Sequence, residues 1–79
     1  MKPVVKVKLI AGENALKQIR EALGMTQMEF ASAIKATHRS IVRWENGQTK
    51  PQFSIPQMKA LVSEMEKVGL TLQDLPDDL

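Results

Sequence analysis

The stretch Met25–Gly47, MTQMEFASAIKATHRSIVRWENG, constrains the fold more than any other part of the chain. Thr26 followed three residues later by Glu29 is the pattern of a capping box, and it predicts a helix over Gln27–Ile34. Phe30, Ala31 and Ile34 then share one face of that helix. Thr37 supplies a second N-cap, Ile41 and Trp44 give the next helix its own apolar stripe, and Gly47 closes it. Only Lys35 and Ala36 lie between the two helices. A connection that short makes them cross steeply.

The outward face of the second helix carries a chemical hint. His38, Arg39, Val42 and Arg43 fall on the side opposite Ile41 and Trp44. A guanidinium offers a planar fork of donors that suits guanine edges and phosphate oxygens, so two arginines and a histidine on one helix face point toward nucleic acid. A solvated charged face is the blander alternative, and most such clusters are of that kind. The tight turn, the two caps and the buried stripes favour the first reading.

Between Ile19 and Pro51 the chain resembles the lambda-repressor-like, Cro/C1-type (XRE) helix-turn-helix family. The matching residues are IREALGMTQMEFA, then SIVRWENG and Lys50-Pro51. One position departs from the pattern: Lys35 stands where the family usually has glycine in the turn, and a left-handed conformation there costs a side chain about 1 kcal/mol. The resemblance implies an all-α fold, a compact five-helix lambda-repressor-like domain over residues 13–75, preceded by an extended segment 1–12 and followed by an acidic tail 76–79. It implies a sequence-specific regulator that reads double-stranded DNA with the helix Thr37–Asn46. Thr37, His38, Arg39, Val42 and Arg43 are then the expected base contacts. Gln27 and Asn46 are expected on phosphates from either side, with Thr26, Ser40 and Lys50 completing that set. The resemblance also implies an ion pair between Arg20 and Glu45 at the base of the recognition helix. Plainer roles remain beside these: a first-turn helix residue for Gln27, a turn former for Asn46.

Seventy-nine residues allow one small domain with a marginal core. The hydrophobic fraction of 43% argues against disorder. Net charge is only +2, but it is polarised: residues 1–50 hold nine Lys/Arg against four Asp/Glu, and residues 51–79 hold two against five. A basic front and an acidic rear suit a protein that presents one side to a polyanion. Cysteine is absent, which excludes disulfides and thiolate metal sites.

Val4–Ile10 alternates in the two-residue period of a half-buried strand, with Lys6 and Lys8 interrupting its apolar run. Three readings compete for it: a poorly ordered basic arm, a strand that pairs with its copy in a second subunit, or an extended segment lying on the helices. Glu13–Leu23 is expected to be the first helix, with Leu16, Ile19 and Leu23 on its inner face and Glu13 in its first turn. Gly24 stops it. After the loop containing Pro51, Ser54 caps a further helix on which Met58, Leu61, Val62, Met65 and Val68 form an amphipathic stripe. Gly69 ends that helix, and Thr71–Leu75 makes a last short one, with Leu70, Leu72 and Leu75 closing the core.

Catalysis finds no footing. His38 is the lone histidine, the carboxylates are scattered, and no glycine-rich phosphate loop occurs. An enzyme, a cofactor, a metal site and a small-molecule substrate are therefore not expected. No segment approaches the ~20 apolar residues that cross a bilayer, and the start lacks a secretory pattern, so a cytoplasmic location with no membrane partner is expected. A single short recognition helix reads few base pairs, which makes a homodimer the expected form. The alternative is an antitoxin whose partner is a toxin protein, or a helix-turn-helix used for protein interaction.

Overall fold

The computed structural model describes residues 9, 10 and 12–76. Over that range the chain forms α1 (Ala15–Ala22), α2 (Gln27–Ala33), α3 (His38–Glu45) and α4 (Ile55–Glu66), then a single 3-10 turn at Leu72–Asp74. No strand occurs among the described residues. The expectation of five helices is thus corrected to four and a turn. Only three residues separate Thr71 from Leu75, and Pro76 follows, so the segment lacks the length to close an α-helical hydrogen bond register.

Every helix begins with a side-chain oxygen that accepts the backbone N–H three residues on. Asn14, Thr26, Thr37 and Ser54 take these roles for Lys17, Glu29, Ser40 and Gln57. Glu29 and Gln57 return the bond to the cap backbone, completing two capping boxes. The first helix starts at Ala15, later than expected, because Asn14 is the cap; Glu13 lies outside the first turn.

The helix ends repeat one device. In α1, α2 and α3 the residue two beyond the last helical one donates its N–H three residues back, into the helix: Gly24 to Glu21 O, Lys35 to Ser32 O and Gly47 to Trp44 O. The next residue donates five back, Met25 to Arg20 O, Ala36 to Ala31 O and Gln48 to Arg43 O. Gly69 and Leu70 close α4 with the same pair of bonds. This is the Schellman motif, whose pivot is left-handed. Three pivots are glycine; the fourth is Lys35, with φ of 62°.

Leu16 and Ile19 of α1, Phe30 and Ala31 of α2 with its C-cap Ile34, Ile41 and Trp44 of α3, and Leu61, Met65 and Leu70 form one buried cluster. Met58, Val68 and Leu75 pack on its edge. Leu72, expected inside, is 52% exposed; Leu75 leaves the turn in extended backbone (ψ 139°), and it alone of the two packs on the core. Of the segment before α1, Leu9 packs on the core, while Ile10 is exposed and has its N–H and carbonyl taken by the amide of Gln18 (2.7 and 3.0 Å). A side chain, not a strand, satisfies the backbone there. The rest of the expected strand Val4–Ile10 and residues 77–79 of the acidic tail lie outside the described residues.

Candidate nucleic-acid interface

α3 divides into two sides. On the inner side Ile41 is fully buried and Trp44 is nearly so, with the indole edge-on to Phe53 at 5.2 Å between ring centroids. That packing fixes the helix against the core through its largest side chain. On the outer side His38, Arg39 and Arg43 are exposed, and Ser40 and Val42 are half-buried between them. Among the described residues none of His38, Arg39 and Arg43 has a side-chain hydrogen bond or ion-pair partner. Two unpaired guanidinium forks one helical turn apart therefore face solvent.

The N-terminal end of α3 holds a short chain of hydroxyls. Thr37 Oγ1 accepts the Ser40 N–H at 3.1 Å and donates its proton to Ser40 Oγ at 2.9 Å. Ser40 accepts that bond and keeps its own proton to give to an external group, whereas Thr37 retains only acceptor capacity. Thr26 is likewise occupied as a cap, accepting from Glu29 N–H. Asn46 is the C-cap of α3 and, like Lys50 in the following loop, is exposed. Gln27 is placed differently from an outward-facing contact: its amide nitrogen donates to Glu45 Oε1 at 3.3 Å. One N–H of that amide remains for an external acceptor.

Glu45 is the centre of a junction between α1 and α3. Arg20 grips it with two parallel bonds, Nε to Oε2 at 2.8 Å and the terminal nitrogen to Oε1 at 3.0 Å, and gives a third to the Met25 carbonyl at 3.0 Å. The two side chains are 15% and 3% exposed. A carboxylate at the C-terminal end of a helix opposes the helix dipole, and the guanidinium offsets that conflict. The hydrogen bond with Glu45, against the opposing effect of burial, raises the Arg20 pKa above its already high ordinary value. A raised cation pKa contributes stability that is complete below the unfolded value and is lost only as pH rises through the folded one, so Arg20 stays charged throughout the neutral range.

Two further residues position this interface without any sequence cue to their cross-chain bonds. Asn14 donates its amide to the Trp44 carbonyl at 2.9 Å, and Gln57 donates to the Lys35 carbonyl at 3.0 Å. Ser-x-x-Gln and an Asn before an apolar helix are legible as caps; the second bond that each makes is not.

A cleft of about 770 Å³ opens between the α1 start and the α3 end, and Glu13, Glu45 and Asp74 are among its lining. Among the described residues no group of three His, Cys, Asp or Glu side chains is placed to hold a metal ion. None of their helices is long and apolar enough to cross a membrane.

The family model for helix-turn-helix proteins matches residues 16–55, which run from the second residue of α1 through α2 and α3 to the first residue of α4. The Type II methyltransferase M.SsoII of Shigella sonnei is 46% identical over 50 residues, 60% of this chain but 13% of that protein. No solved structure matches the chain.

Proposed function

Because the chain belongs to the Cro/C1-type helix-turn-helix family, we propose that it is a sequence-specific DNA-binding transcriptional regulator that lays α3 in the major groove. The observation that carries this reading is the division of α3: a side locked by Ile41, Trp44 and Glu45, and a side on which His38, Arg39 and Arg43 stand exposed and unpartnered. Arg39 and Arg43 supply bidentate forks for guanine, and Val42 between them supplies an apolar contact for a thymine methyl. Ser40, Asn46, Lys50 and the spare N–H of Gln27 hold phosphates and fix the register.

An eight-residue α3 spans too few base pairs to select a site alone, so the working form is a homodimer on two half-sites about 34 Å apart. Its place is the cytoplasm, where the DNA is. Methyl transfer is not part of the proposal, since the shared stretch is 13% of the methyltransferase and the chain has no catalytic constellation of its own. The antitoxin reading stands as the alternative, and no described residue favours it: among the described residues the exposed large apolar side chains Ile10, Met28, Ile55 and Leu72 sit on four separate segments. Selection of bound duplexes from a random pool at fixed salt tests the proposal. Enrichment of a two-fold repeated motif supports it; recovery of an unenriched pool contradicts it.

A further inference from the structure

Asn14 does two things with one side chain. Its Oδ1 accepts the Lys17 N–H at 2.9 Å and caps the start of α1, while its Nδ2 donates to the Trp44 carbonyl at 2.9 Å. That carbonyl belongs to the last turn of α3, where backbone acceptors lack helical partners. Within the chain's own backbone it receives the Gly47 N–H at a long 3.3 Å. The Asn14 amide is thus the short bond on an acceptor at the negative end of the recognition helix.

We propose that Asn14 is a positioning residue for base reading: by capping α1 and α3 at once, it seats the C-terminal turn of α3 and so sets how far Arg43 reaches into the groove. This inference rests on the DNA-binding reading above. Arg43 directly precedes Trp44, whereas Arg39 lies a full turn nearer the N-terminal end, which the Lys35 turn holds. Loosening the Trp44 carbonyl therefore moves Arg43 more than Arg39. The Arg20–Glu45 bridge does not replace the Asn14 bond, because it acts on a side chain and leaves the backbone carbonyl free to tilt.

The chemistry offers a separable test. Serine is as good an N-cap as asparagine, but it has no amide to reach Trp44. Asn14→Ser should keep the start of α1 and lose only the second bond. Wild type and Asn14→Ser are compared on the selected duplex, on duplexes altered at the base assigned to Arg43 or at the base assigned to Arg39, and on a scrambled duplex, at one salt concentration. The amide and carbonyl NMR shifts of both proteins are recorded without DNA. The expected result is a fall in the selected-to-altered preference by about fivefold, the equivalent of one net hydrogen bond. Binding to the scrambled duplex should not change, and, apart from the substituted cap and its neighbours through Lys17, shifts should be confined to Trp44–Gly47. Preference at the base assigned to Arg39 should be retained. Unaltered preference with a wild type that discriminates overturns the positioning role alone, as does a loss that matches a loss of folded protein. A wild type that fails to discriminate overturns both this role and the functional reading.

Discussion

At its N-terminal end α3 enters from a turn built of backbone: Lys35 left-handed, Ala36 N–H on the Ala31 carbonyl at 2.8 Å, and Thr37 capping the first turn. At its C-terminal end the same helix is held by side chains from another helix. Arg20 clasps Glu45, and Asn14 takes the Trp44 carbonyl. The first end is fixed chiefly by groups within a few residues of one another, at the expense of one strained lysine, with a single bond from another helix, Gln57 to the Lys35 carbonyl. The second is fixed by bonds that span 25 and 30 residues and need α1 to be docked first. A recognition helix held in this way is stiff at its entry by local conformation and stiff at its exit only while the tertiary fold persists. Damage at the exit should therefore cost more stability than damage at the entry.

Removing one partner of the buried pair is the severest way to break that contrast. Glu45→Ala leaves the Arg20 guanidinium with the Met25 carbonyl alone and should destabilise the domain by about 3–5 kcal/mol in urea denaturation. A cost below about 1 kcal/mol would place the pair among ordinary surface bridges and dissolve the distinction. A smaller effect is expected at the entry. Gln57→Ala removes the bond to the Lys35 carbonyl and half of the α4 capping box, and should cost about 1 kcal/mol by the same measurement. The smallest effect has the opposite sign. Lys35→Gly relieves a left-handed side chain at the pivot where the other helices have glycine, so stability should hold or rise by up to about 1 kcal/mol. A loss of that size would show that the lysine is not strained there.

The same contrast explains how much of the molecule was legible in the chain itself. Caps and turns at the entry are local chemistry, and Thr26 with Glu29, Thr37, and Ser54 announce them at fixed spacing. The exit is not local. Arg20 and Glu45 were joined only through a family resemblance, because nothing in the spacing of two charged residues 25 apart says that they meet. Apolar spacing starts the first helix at Glu13 and gives Asn14 no role, whereas Asn14 is the cap, and its bond to Trp44 depends on the docking angle of α1. Gln27 shows the same limit: its place in the first turn of α2 is readable, but its lean toward Glu45 arises from the crossing of two helices. The last leucines fail for another reason. Spacing counts Leu72 and Leu75 as one face, yet Leu75 lies past the turn in extended backbone and packs on the core, while Leu72 stays in solvent.

The reading of α3 as a base-reading helix depends on its outer side, where Arg39 stands exposed near the better-fixed entry. Wild type and Arg39→Ala should be titrated on the selected and scrambled duplexes at one salt concentration. Wild type should prefer the selected duplex, and Arg39→Ala should lose about 1–3 kcal/mol of binding to it while binding the scrambled duplex almost as before. Equal affinity of wild type for both duplexes would contradict base reading by α3.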